Sequence, residues 1–333
     1  MSQTDVRMDG SAELRGEREA TPGSAGRRRE RLLVPKAEFD SYYGRPVLHE
    51  PTWQAPDIAG YLFLGGLAGA SSTLAAAAEL TGRPRLARVG KVGAVCALGG
   101  SLYALIHDLG RPERFVNMLR VFKVTSPMSV GTWLLSAYGP QAGLAAAASL
   151  TGVAPGVGRA ATVGAGLVGP AVATYTAALI CDTAVPAWHE GYREMPFLFA
   201  GSATASAGGL GMFAAPLDEA GPARRAAVLG AAVECVAALR MERRLGPLAE
   251  PLKRSRLLRL GEALSVAGAV AGATVGRRSR VAAMAAGAAL LAGSACTRFG
   301  IFQAGMESAR DPRYTVQPQR RRLAKARAER DLT

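Results

Sequence analysis

The chain reads as all-α: a polytopic membrane protein of about eight transmembrane helices arranged as two four-helix bundles. Three observations carry this reading. Of 333 residues, 49% are apolar, and they fall in blocks of roughly 18 to 25, the length a helix needs to cross a bilayer. The blocks are rich in Ala and Gly and the chain is only 6% aromatic, which suits helices packed closely through small faces. Lys and Arg gather in the two tails and in the loops between blocks, as the positive-inside bias requires.

Residues 1–40 are rich in Arg, Glu, Gly and Ser and are expected to form a disordered tail. The stretch that follows carries Tyr42, Tyr43, His49 and Trp53, interrupted by Pro46, Pro51 and Pro56. It reads either as an interface-lying segment or as a plain linker. The membrane domain is 41–310, with spans at about 57–80, 88–107, 127–150, 160–182, 195–215, 223–240, 258–276 and 279–302. The seventh is short enough to be a half-helix. A basic C-terminal tail, 311–333, closes the chain.

The formal charge of +14 would suggest nucleic acid in a soluble protein. Here the charge lies in tails and loops, without a basic module interleaved with aromatics, and nucleic acid is excluded. Arg27-Arg28-Arg29 is not followed by an apolar signal core, so the first span is expected to insert uncleaved. Cys96, Cys181, Cys235 and Cys296 are far apart, which rules out a local iron–sulfur ligand set and points to small buried apolar side chains. The three histidines lie near span ends or before the first span, so a bis-His haem is not expected.

The most specific stretch is the loop between spans two and three. The second span ends in Asp108-Leu109-Gly110-Arg111-Pro112; a short amphipathic piece follows, and Ser126-Pro127-Met128-Ser129 with Gly131 and Trp133 opens the third. Gly110 and Pro112 stop one helix and Pro127 restarts the next. This pattern resembles the NrfD-type family, the polysulphide-reductase membrane subunits. Pro186 and Trp188 after span four, and Leu-Phe-Ala-Gly-Ser-Ala-Thr-Ala-Ser-Ala-Gly-Gly in span five, are similar to that family too.

The resemblance implies an anchor for molybdopterin and iron–sulfur oxidoreductases that exchanges electrons with quinone. It implies a ferredoxin-like iron–sulfur partner and a catalytic subunit, for which a molybdopterin enzyme is a candidate. It also implies a quinone pocket in the first bundle, using a histidine near the chain start and a tyrosine in span four, matched here by His49 and Tyr175. The abundance of Ala, Gly and Arg suggests a GC-rich genome, and through it menaquinone.

The residues themselves place candidates at one end of that bundle. Asp57 opens span one with Tyr61 one turn deeper; His107 and Asp108 close span two, with Arg111 just beyond; Tyr175 and Asp182 share a face of span four, and His189 follows in the loop. Hydroxyls and imidazoles could bind two carbonyl oxygens, and an acid could relay protons. The competing reading is that such groups only pair and cap helix ends. Glu234, near the middle of span six, is either a step in a proton path or a neutral acid bonded to a neighbouring helix. A secondary transporter or proton channel, and a bare anchor without quinone turnover, remain the alternatives.

An even number of spans puts both tails on one side, and their positive charge places that side in the cytoplasm of a plasma-membrane protein. An alkaline-phosphatase fusion at the C-terminus should therefore be inactive; an active one would reverse the orientation.

Overall fold

The computed structural model describes residue 48, residues 51–110 and residues 113–330. The expectations for 1–40, Tyr42, Tyr43, His49 and Arg111 lie outside the described residues. Proline sets most helix starts: α1 (Ala55–Leu80), α2 (Pro84–Asp108), α4 (Pro127–Thr151), α5 (Pro155–Cys181), α6 (Pro186–His189), α7 (Met195–Ala214), α8 (Gly221–Leu245) and α9 (Glu250–Arg254) each carry Pro in the first two positions. Its missing N–H costs nothing there and its fixed φ suits a helix. Helices α10 (Arg256–Ala273) and α11 (Arg280–Arg310) start instead on Ser255 and Ser279, whose hydroxyls accept from the Leu258 and Ala282 amides. The short α3 (Glu113–Met118) is the amphipathic piece in the second loop, and α12 (Arg313–Arg330) gives the basic C-terminal segment a helix.

The eight anticipated spans correspond to α1, α2, α4, α5, α7, α8, α10 and α11. Five of these, α1, α2, α5, α7 and α11, are long and apolar enough to cross a membrane by length and composition. The seventh is a continuous helix rather than a fragment, and α11 runs to Arg310, beyond the expected end. Helices α1, α2, α4 and α5 pack as one four-helix bundle, and α7, α8, α10 and α11 as the other; α1 and α5 face α7, and α11 also reaches α1.

Small residues let these helices approach. A Cβ on Gly69 would collide with the Gly169 carbonyl across the α1–α5 crossing, and one on Gly169 would collide with that of Gly69. Thr73 donates to the Gly166 carbonyl at 3.1 Å beside that crossing. Tyr138 of α4, fully buried, donates to Ala68 O at 2.8 Å and lies 2.7 Å from Ser72 Oγ. Between the bundles, Trp188 of α6 is fully buried. Its indole donates to Ile301 O at 2.8 Å, it stacks on Trp53, and Gly305 leaves it room. The cysteines are less uniform than expected: Cys181 is buried, but Cys96 is exposed.

At the opposite end, α2 has no side-chain cap of its own. Glu219, in the α7–α8 connection, supplies one: its Oε2 accepts from the Arg85 and Leu86 amides at 2.8 and 2.9 Å, and its Oε1 meets Arg85 Nε at 2.9 Å. Burial alone would raise the Glu219 pKa, but the Leu86 amide and Arg85 outweigh it and hold the carboxyl below its usual range.

Gly69→Ala should cost about 1–3 kcal/mol through overpacking, whereas Gly99→Ala, with no neighbour within 4 Å, should be neutral. Thermal unfolding in detergent separates the two, and equal effects would disprove a tight α1–α5 crossing. The clamp at Glu219 predicts a pH dependence as well. Its folded pKa lies below the unfolded one, so its stabilisation is complete above the ordinary carboxylate value of about 4.3 and fades as pH falls through the lower folded value. Glu219→Gln should lower stability at neutral pH and flatten the acid limb of a Tm-against-pH curve; an unchanged limb would assign it to other carboxylates.

Candidate functional site

A groove opens where the start of α4, the end of α5 and the turn after α6 diverge. It encloses about 550 Å³, within the range of small-molecule sites. Val124, Pro127 and Val130 form one apolar wall, Ala178 belongs to the other, and Tyr175, Asp182 and His189 bring polar groups to it. The wall exists because Ser126 is extended and Pro127 restarts the helix. Gly131, one turn later, lets the Tyr175 ring lie against the α4 backbone, since a Cβ there would strike the ring.

Tyr175, half-buried on α5, is hydrogen-bonded through its hydroxyl to that of buried Tyr61 on α1, with the rings edge-on at 75°. Each phenol has one proton to donate. If Tyr61 donates within the pair, the Tyr175 proton is free for an acceptor in the groove. His189 Nδ1 lies 3.3 Å from the Cys181 carbonyl. A carbonyl only accepts, so Nδ1 is the donor there, which leaves Nε2 as the ring nitrogen available to another partner. Asp182 is exposed at the α5 C-terminus.

Asp57 and His107 form a neighbouring pair, 2.9 Å from Oδ2 to Nδ1, with the imidazole stacked on Tyr103. The Asp108 carboxylate faces the Gln54 backbone amide and lies within electrostatic reach of Asp57 and His107. Thus Asp57, His107 and Asp108 cluster at the α1–α2 end; Tyr61, one turn along α1 from Asp57, is bonded to Tyr175 at the groove. Gly110, at φ +67°, turns the chain there, and Arg114 Nη1 donates to Leu109 O at 3.2 Å.

A family model described as polysulphide reductase, NrfD, matches residues 49–225, just over half of the chain. The chain belongs to the NrfD family. No curated protein matches it. The NrfD match covers the first bundle, the groove, α7 and the α7–α8 connection with its Glu219 clamp.

Glu234 stands apart from this NrfD groove, in the second bundle. It is buried; its Oε1 accepts from Thr297 Oγ1 at 2.8 Å, and it borders a separate cavity of about 280 Å³ with Glu242 and Glu262. Beside it is a group that the sequence reading overlooked, Arg298 of α11. Arg298 is wholly buried, donates to Phe199 O at 2.8 Å, places its guanidinium 3.7 Å from the Phe199 ring centroid, and lies within electrostatic reach of Glu234. The signal was available, because Arg298 interrupts an apolar span just as Glu234 does. Gly131 was quoted only as part of a motif; nothing in one sequence shows which ring it admits.

Proposed function

We propose that this chain is the quinone-interacting membrane subunit of an oxidoreductase complex, with the Tyr175 groove as the quinone site. The observation that carries the reading is the groove's chemistry. Apolar walls sized for a ring meet a phenol hydroxyl and an imidazole, and Tyr61, bonded to that phenol, lies one helical turn from the Asp57–His107 pair on α1. Members of the family serve as membrane subunits of oxidoreductase complexes and pair with iron–sulfur and catalytic subunits. For this chain we propose a ferredoxin-like iron–sulfur partner, a catalytic subunit with molybdopterin as its candidate cofactor, and menaquinone as the quinone.

Quinone and quinol differ by two electrons and two protons. Tyr175 binds and orients one carbonyl oxygen by donating its proton in a hydrogen bond. His189 Nε2 accepts or returns a proton at the groove, and Asp182 at its rim exchanges protons with water. Asp57, His107 and Asp108, at the neighbouring helix ends, provide a second point of proton exchange. The electrons go to or come from the iron–sulfur partner.

In the assembled complex, Tyr175→Phe should lower quinone-linked turnover roughly five- to tenfold, the value of one hydrogen bond, while electron transfer to an artificial acceptor on the partner stays normal. His189→Gln should lower it too and shift its pH profile. Full quinone-linked activity in both variants of an intact complex would remove the groove from the reaction and favour a bare anchor.

A further inference from the structure

The far end of the second bundle carries a cationic cluster that the quinone reading does not use. Arg224 and Arg225 lie in the first turns of α8, and the 3-10 turn Val275–Arg277 after α10 brings Arg277 to the same place. Together they border an outward-facing groove of about 630 Å³, continued down α8 by Val228, Leu229 and Ala232. Val228 and Leu229 are 43% and 64% exposed, so this is a lateral face of the bundle. At Ala232 the groove meets a second one, of about 400 Å³, which continues along Val233 and Val236.

The charges here are unbalanced. Arg224 and Arg277 are close enough to repel, and Arg224 donates to the Leu217 carbonyl at 3.4 Å. Among the described residues neither Arg225 nor Arg277 meets a carboxylate, because the two acids of the neighbouring connection, Asp218 and Glu219, are both held by Arg85. The positive end of the α8 dipole points the same way. The result is a cationic head with a long apolar trough beside it along α8.

We propose that this groove binds an anionic membrane phospholipid, its phosphodiester seated among Arg224, Arg225 and Arg277 and one acyl chain lying along Val228, Leu229 and Ala232. A protein partner would not need an apolar trough extending toward the bilayer centre. A free phosphate would leave that trough uncovered.

The intact chain, purified in a neutral detergent, can be titrated with phosphatidylglycerol, with phosphatidylcholine of the same acyl chains, and with inorganic phosphate, reading binding by native mass spectrometry and Tm. Phosphatidylglycerol should bind and raise Tm, and the other two should not. Arg225→Gln with Arg277→Gln should weaken phosphatidylglycerol binding roughly 30-fold, since each basic residue near an anionic lipid is worth about fivefold. Arg159→Gln, an exposed arginine at the same end of the molecule, should change nothing. Ala232→Phe, which fills the trough and leaves the charges in place, should also weaken binding and tests the site if the double variant fails to fold. Equal binding of phosphatidylcholine, full phosphatidylglycerol affinity in the variants, or an equal effect of inorganic phosphate would each overturn the proposal.

Discussion

In a bilayer, apolar side chains gain little by leaving lipid for one another, so helices are held by close van der Waals contact and by the few hydrogen bonds that contact permits. Everything else in this structure depends on how closely α1 is approached. It is the most buried of the apolar spans, touching α2 and α5 in its own bundle and α7 and α11 in the other. Only Gly and Ala allow four neighbours at that distance, and the paired Gly69 and Gly169 are where two backbones meet. Once they do, Thr73, Ser72 and Tyr138 come within reach of carbonyls and hydroxyls on facing helices.

The candidate site is the complement of this packing. Where the helices are tight, the bundle is closed; where α4 and α5 part at their ends, a larger side chain is needed to line the gap, and Tyr175 does so over Gly131. Because α1 is central, Tyr61 reaches that ring from behind, so a residue at the open groove is bonded to the most enclosed helix of the protein. The second bundle treats its buried polar groups differently. Glu234 and Arg298 stand near one another with Thr297 and the Phe199 carbonyl as partners.

Much of the fold was legible because span-length apolar blocks and prolines at helix starts are local signals, and both survive in a single sequence. The turn at Gly110 and the restart at Pro127 were likewise written in adjacent residues. What escaped were pairings over distance. The sequence indicated that Tyr61 and Tyr175 belonged to one end of a bundle, but not that their hydroxyls meet across 114 positions. Trp188 was visible only as part of a motif after the fourth span, and only the gap left by Gly305 shows why it is buried. Arg298 was hidden by its surroundings: a long run of Ala, Gly and Leu made one guanidinium easy to pass over.

The Glu219 cap also bears on the order in which the chain is built. The first turn of α2 takes its acceptor from a side chain more than 130 residues later. Until the α7–α8 connection reaches the same end, those amides have water rather than a carboxylate as their acceptor. The first bundle is thus not a finished module when its last helix emerges. Its completion is deferred to the arrival of the second, so a nascent chain halted between the two would present an unfinished helix end to whatever supervises membrane assembly.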